Sequence, residues 1–233
     1  MVTLVPMISV VIPTLDAEAG LPRCFDSLIQ ATVRGLVREV IVSDGGSTDG
    51  TVILADGVGA HIVSSPRGRG QQLAAGAEFA RSDWLLFLHA DTALEPGWEA
   101  EAESFIERSS VDRPRAAAFR FALDDFGFRP RLLERLVALR CFFFGLPYGD
   151  QGLLISRRLY RKIGGYRPLP LMEDVDIVRR LGRKRIVMLR TNAVTGAERF
   201  RDEGYLRRPL RNLSILFLYA LRVPAQVLAK LYG

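Results

Sequence analysis

Three acidic positions in this chain stand where a turn meets a strand or a helix, the places where a carboxylate is free to do chemistry. In W-L-L-F-L-H-A-D-T (84–92), five apolar residues from Trp84 to Leu88 run into His89, Ala90 and Asp91. His89 and Asp91 are two apart, so on an extended backbone they point the same way, and one imidazole with one carboxylate could hold a divalent cation. Asp44 ends a second apolar run and opens D-G-G-S-T-D-G-T (44–51), and Glu173-Asp174 opens an apolar-periodic stretch after a break at Gly164-Gly165. Each has a plainer use. Asp91 can cap a turn before Pro96-Gly97, Asp44 suits a turn before two glycines, and Glu173 and Asp174 are first-turn carboxylates favoured by a helix dipole.

The elements that must position these residues follow from periodicity. Residues 8–14 form a β-branched strand, and a helix follows from Pro22 with Leu21, Phe25, Leu28 and Ile29 at helical spacing, closed by Gly35. Strands at 39–43 and 61–65 flank a short helix capped by Thr48 or Asp49. A helix from Gln71 to about Ala80 leads into the 84–92 strand, whose unbroken apolar run fits burial on both faces. This βαβαβαβ series implies a parallel sheet with right-handed crossovers, with Asp44 and Asp91 at its carboxyl edge. The second half is less regular: an acidic helix at 96–108, a strand at 116–123, and a helix at 130–144 rich in Arg and Phe. A Gly/Pro loop at 147–152, a strand at 153–156, helices at 157–163 and 173–181 and a last strand at 185–189 complete it.

Bulk properties bound the class. The 233 residues, 48% hydrophobic and 25% charged, are enough for one large domain with a real core. The net charge is +6, carried mostly by arginine, which suits phosphate, carboxylate or an anionic membrane surface. Cys24 and Cys141 sit in separate apolar stretches and read as buried thiols of a reducing compartment. The first thirteen residues lack a basic leader and end at Pro13, and no stretch is long enough to span a bilayer, so the expectation is a cytoplasmic protein. Residues 205–232 mix Arg207, Arg208, Arg211 and Arg222 with leucines and aromatics. Such a segment could lie on a membrane, pair with another subunit or pack on its own domain.

A dinucleotide fold would need G-x-G-x-x-G after the first strand and a P-loop would need G-K-S/T, and neither is present. Instead I-S-V-V-I-P-T-L-D-A-E-A-G-L-P, E-V-I-V-S-D-G-G-S-T-D-G-T and G-R-G-Q-Q-L-A-A-G-A-E-F-A-R-S-D-W-L-L-F-L-H-A-D-T resemble the nucleotide-binding half of family 2 glycosyltransferases. D-Q-G-L-L-I-S-R-R-L-Y-R-K-I-G-G-Y and L-M-E-D-V-D-I-V-R-R-L resemble the acceptor half. The combination of H-A-D-T, P-Y-G-D-Q-G and P-L-M-E-D-V-D resembles a short bacterial subfamily associated with radical-SAM/selenodomain or arsenosugar-biosynthesis genes.

The resemblance implies an α/β GT-A fold, Rossmann-like, with a mixed, mostly parallel central sheet flanked by helices. It would occupy residues 1–203, with a nucleotide-binding half at 8–92, an acceptor half at 93–203, and an amphipathic helical segment at 204–233. It implies a nucleotide-sugar donor, most often a UDP-sugar, an acceptor that is a small molecule or lipid, no nucleic acid, and Mn²⁺ or Mg²⁺. Pro13, Thr14, Asp16 and Glu18 would line the nucleoside pocket, Asp44 would accept from the base imide, and Arg67, Gly70 and Gln72 would close over the nucleotide. Asp91 matches the last carboxylate of the D-x-D metal motif and Asp174 the general base of inverting members, with Glu173 as orienter. Tyr148, Asp150 and Gln151 would touch the acceptor. His89 replaces the first metal-motif aspartate, and would share the metal or face the ribose. The Q-x-x-R-W motif of processive synthases is absent, so single-sugar transfer is expected. Two other readings survive: a sugar-nucleotide-binding module without catalysis, recruited by its C-terminal segment, and a nucleotidyltransferase using the same cation.

Overall fold

The computed structural model describes residues 7–109 and 113–232. The first six residues, part of the apolar lead-in to the first strand, lie outside it. Eight strands form one sheet: β1 (Ile8–Thr14), β2 (Val37–Asp44), β3 (His61–Ser64), β4 (Trp84–Phe87), β5 (Thr92–Leu94), β6 (Ala116–Leu123), β7 (Leu153–Ser156) and β8 (Ile186–Thr195), in the order β3-β2-β1-β4-β7-β6-β8-β5. The first four pair in parallel, as the alternation of strands and helices predicts. Antiparallel β7 then joins β4 to β6, β8 runs parallel to β6, and β5 closes the edge antiparallel to β8. The sheet is therefore mixed and mostly parallel.

The helices are α1 (Leu21–Asp26), α2 (Ile29–Val33), α3 (Thr51–Gly57), α4 (Arg69–Phe79), α5 (Trp98–Arg108), α6 (Phe128–Phe144), α7 (Arg157–Lys162), α8 (Glu173–Leu181), α9 (Glu198–Glu203), α10 (Arg207–Ala220) and α11 (Ala225–Tyr232). α1 and α5 cover one face of the sheet through Leu21, Cys24, Trp98 and Phe105. α4, α7 and α8 cover the other through Leu73, Leu159, Ile177 and Leu181. α6 packs over the far end of β6 with Leu133, Val137 and Cys141. Both cysteines are free and buried.

Three elements differ from the periodicity, one of them the 84–92 strand, which ends at Phe87. The single helix read from Pro22 to Gly35 is two short ones. The Ser27 carbonyl accepts from the Trp98 indole at 2.9 Å and the Ser27 hydroxyl donates back to Cys24 O at 2.7 Å, and the axis breaks there. Ile29, placed on the apolar face by spacing, is consequently 51% exposed. The last strand does not stop at Leu189 but continues to Thr195. It passes through a bulge: Ala118 pairs with Met188, yet Arg120 pairs with Asn192. The Glu101 carboxylate of α5 holds that bulge, accepting from Arg190 N at 2.7 Å, from Thr191 N at 2.9 Å and from the Thr191 hydroxyl. The polar run Arg190–Asn192 hid this continuation, because bulged residues break the alternation by which a strand is recognised.

Candidate active site

Two cavities meet at the carboxyl edge of the sheet, where open α/β folds place ligands. The larger, about 590 Å³, lies between the end of β1, the start of α4 and residues 196–201; Pro13, Thr14, Asp16, Arg67 and Gln72 line it. The smaller, about 150 Å³, is lined by Tyr148, Asp150, Glu173 and Asp174, with Arg208, Asn212 and Tyr232 of the C-terminal helices as its outer wall. Arg69, His89, Asp91, Gly196 and Arg199 line both, so they form the boundary where the two cavities join. Asp91 and Asp174, far apart in sequence and on different elements, open onto the same space.

His89 and Asp91 reach it by a turn, not by the extended backbone their spacing suggested. β4 ends at Phe87, and Thr92 N donates to His89 O at 3.2 Å. The turn is fixed from outside: Gly196 N donates to Asp91 O at 3.1 Å, and the buried hydroxyls of Thr92 and Thr195 lie 3.1 Å apart. The His89 ring stands against Gly149, where an added Cβ would come within 2.5 Å of Nε2. Burial, with the Arg69 guanidinium nearby, pushes the His89 imidazole down to about 4, so it is neutral at physiological pH and keeps a lone pair for bonding.

α8 brings the second carboxylate. Its N-cap, Met172, has φ +68°, a left-handed conformation that an unbranched residue adopts at a cost of about 1 kcal/mol. Asp174 Oδ2 accepts from Gly149 N at 3.0 Å, and Asp174 Oδ1 accepts from Val175 N. Glu173 is buried, with Oε1 3.5 Å from Arg69 Nε but in no hydrogen bond. Burial first, then the Asp174 charge, pushes the Glu173 carboxyl up to about 7. Asp150, with Oδ1 buried and unpartnered, is pushed up to about 6, again chiefly by burial. Asp176, which spacing alone did not single out, is buried between Arg180 and Arg167 and anchors α8; the i,i+4 pairing with Arg180 was its signal.

Several residues assigned to ligands by resemblance are instead used by the chain itself. The Asp44 oxygens accept from the Thr14 hydroxyl, from Gly46 N and Ser47 N, and from the Ser47 hydroxyl. These bonds hold its pKa below the ordinary value against the cost of burial, so Asp44 organises the turn after β2. Glu18 accepts from Gly50 N at 2.9 Å and lies outside the lining of the larger cavity; it ties the β1 loop to α3. Gly70 is buried under the loop before α8: a Cβ there would sit 2.3 Å from Arg167 O. Gln151 is 1% exposed. Its amide binds Phe119 O at 3.0 Å, Arg140 at 3.1 Å and Tyr148 N at 3.2 Å, which makes it a loop anchor and not an acceptor contact. Gln72 does line the larger cavity, while its amide N–H group bridges Thr14 O and Ser43 O. Tyr148 lines the smaller one, with the Arg140 guanidinium 3.4 Å from its ring centre.

Sequence reasoning missed Gly196, Arg199, Arg208, Asn212 and Tyr232. The β-branched pair Val194-Thr195 before Gly196 was an available sign of a strand ending at this edge. The C-terminal three had none, because they reach the cavity by packing. Among the described residues no group of three or more His, Cys, Asp and Glu could hold a metal alone.

Residues 9–139 match the sequence model of the family described as glycosyl transferase family 2. A PGL/p-HBAD biosynthesis glycosyltransferase of Mycobacterium bovis is 33% identical over 164 residues, 61% of this chain and 63% of that protein. The chain thus spans a little under two thirds of that relative. Glucosyl-3-phosphoglycerate synthase of Mycobacterium tuberculosis, solved with Mn²⁺, UDP and glucosyl-3-phosphoglycerate, is similar with a TM-score of 0.57 and 26% identity, covering 82% of this chain and 71% of that one. Staphylococcus aureus TarS (1–349) shares the fold with a TM-score of 0.61 at 18% identity, over 81% of this chain and 60% of that one. Because the family match covers more than half of the residues and falls on the strands and turns that build the larger cavity, this chain belongs to glycosyl transferase family 2.

Proposed function

We propose that this protein transfers one sugar from a uridine diphosphate sugar to an acceptor hydroxyl with inversion at the anomeric carbon. The observation that carries this reading is the junction of the two cavities. Asp91, His89, Arg69 and Arg199 stand where a diphosphate in the larger one would end, and Asp174 and Glu173 stand in the smaller one beyond it.

The nucleoside would lie along Pro13, Thr14 and Asp16, with Arg67 over it. Arg69 and Arg199 would receive the diphosphate with the N-terminus of α4, whose backbone N–H groups and dipole favour an anion. A donor pair of one carboxylate, Asp91, and one neutral imidazole, His89, fits Mn²⁺ or Mg²⁺ only with nucleotide oxygens and water completing the shell. Such a cation, when bound, neutralises charge on the leaving diphosphate. Across the junction, Asp174 would take the acceptor hydroxyl proton as that oxygen attacks the anomeric carbon and the bond to the diphosphate breaks. Glu173, protonated in part near neutral pH, would orient the acceptor through its unpartnered oxygen, with Tyr148 and Asp150 beside it. The H-A-D-T, P-Y-G-D-Q-G and P-L-M-E-D-V-D combination supports membership of the short bacterial subfamily noted above.

The test separates binding from chemistry. Asp91→Ala is expected to lower turnover of UDP-sugar by on the order of 10²-fold or more. Asp174→Asn should lower it by roughly 10²–10⁴-fold while UDP still binds by calorimetry. Wild-type rates in both variants would refute the assignment, and tight UDP binding without turnover on any acceptor would favour a binding module.

A further inference from the structure

α6 carries two apolar stripes, and only one is needed to pack it. Pro130, Leu133, Val137 and Cys141 face the sheet and are buried. Phe128, Leu132, Leu136, Leu139 and Phe143 lie on the other side, within about 80° of one another at 3.6 residues per turn, and are 41–76% exposed. α10 with its flanking residues repeats the arrangement. Ile215 is buried, whereas Leu206, Leu210, Leu213, Phe217 and Leu221, again within about 80°, are 61–76% exposed. Isolated exposed leucines need no explanation, but two long stripes do. The segments that lead into the two helices are tied together where the Tyr205 hydroxyl donates to the Asp125 carboxylate, next to exposed Phe126 and Leu206.

The geometry points to a peripheral docking surface for an anionic phospholipid bilayer, made by the outer stripes of α6 and α10. Charge selects this occupant. Arg129 and Arg135 border the α6 stripe and are exposed, as are Arg207 and Arg222 at the ends of α10. Residues 205–232 contain no acidic residue, and Glu134, the one acid in α6, is paired with Arg131 at 2.7 Å. Phenylalanine and leucine bordered by arginine is the composition of a helix lying in a headgroup region, where apolar burial and attraction to anionic lipid add. No helix among the described residues is long and apolar enough to cross a membrane, so contact is at the surface. The inner face of α10 supplies Arg208 and Asn212 to the smaller cavity, so docking through the outer face sets that cavity one helix away from the lipid.

Sedimentation of the full chain with vesicles tests this. Wild type should pellet with phosphatidylcholine vesicles containing phosphatidylglycerol, less so as salt rises, and stay in solution with phosphatidylcholine alone. Leu136→Glu/Phe143→Glu and Leu213→Glu/Phe217→Glu should each weaken partitioning about tenfold or more with little change in melting temperature. Should either pair fail to fold, Arg129→Ser/Arg135→Ser, which leaves both stripes intact, is expected to weaken binding to anionic vesicles. The proposal is overturned if wild type ignores both vesicles, binds them equally, or binds no better than the variants. It is also overturned if the lipid-free protein is a dimer that Leu213→Glu/Phe217→Glu dissociates, which would assign the stripes to a second copy.

Discussion

Gly149→Ala is the sharpest probe of the junction, because the backbone there tolerates a side chain while the space does not. Gly149 is not among the positive-φ residues, so alanine adds no backbone strain. Its Cβ, however, would lie 2.5 Å from His89 Nε2. An ordinary contact is about 3.5 Å, so ring and loop must separate by roughly 1 Å. The ring has little room to retreat on its inner side, where the cavity bounded by Leu73, Phe87, Tyr166 and Asp174 is only about 10 Å³. It must therefore move toward the cavities it borders, out of its place at their junction. Overpacking of this size costs about 1–3 kcal/mol, or a fall in melting temperature of about 2–12 °C for a chain of this length. A displacement of roughly 1 Å at reacting groups lowers turnover by on the order of 10²-fold. Thermal melts and UDP-sugar turnover measure both. In a His89→Ala background the same substitution should cost under about 0.5 kcal/mol, since the three atoms nearest the added Cβ all belong to the imidazole. A Gly149→Ala protein with wild-type melting and turnover would refute the reasoning, as would an equal loss with and without the imidazole.

Other consequences follow from the buried acids and the bulge. Glu173, raised from 4.5 to about 7, and Asp150, raised from 3.8 to about 6, bind protons more tightly folded than unfolded. Their contribution to stability is therefore fully present at low pH and is lost as pH rises from about 4 to about 7, opposite in sign to that of Asp44 and Glu101, whose values are lowered. In Glu173→Gln the difference between pH 5 and pH 8, read by chemical denaturation, should narrow by roughly 2–3 kcal/mol. Glu101→Ala removes the acceptor for two backbone amides and a hydroxyl in the β8 bulge, and should cost about 2–3 kcal/mol in denaturant melts. It should also lower turnover, because that bulge sets the register that delivers Gly196 and Arg199; loss of stability with unchanged turnover would show the register held by other contacts.

Elements in both halves of the chain were legible where their signals are local. Strand β1 ends at Thr14 where its apolar run ends, β6 and β7 match their predicted bounds, and α8 begins at Glu173 as its periodicity requires. Where prediction failed, a contact from far along the chain decided the outcome. The Trp98 indole splits the first helix, and Glu101 carries β8 through polar residues that look like a loop. The same limit applies to function. The resemblance singled out Asp91 and Asp174, which line one cavity, but that Asp44, Glu18 and Gln151 are already hydrogen-bonded depends on the positions of Ser47, Gly50 and Arg140 in space. Arg208 and Tyr232 enter the site only because a helical hairpin folds back over it.

That hairpin changes how the two cavities compare. In the turn after β2, behind the larger cavity's lining, the carboxylates of Asp44 and Asp49 are satisfied by two or more donors each, and both groups are held below their ordinary values. In the smaller cavity Asp150 Oδ1, Glu173 Oε1 and Arg208 Nε are buried without hydrogen-bond partners among the described residues, and all three side chains belong to its lining. A buried polar atom in that condition costs about 1–3 kcal/mol. A ligand with hydroxyls or charges, placed in that cavity, can take over from ordered water in satisfying these atoms without rearranging the chain. Filling the cavity should therefore stabilise the protein beyond what nucleotide alone does, and an acceptor candidate can be recognised by a further rise in melting temperature on top of UDP saturation. A compound that is glycosylated yet adds no stabilisation would place the acceptor elsewhere than beside Glu173 and Asp150.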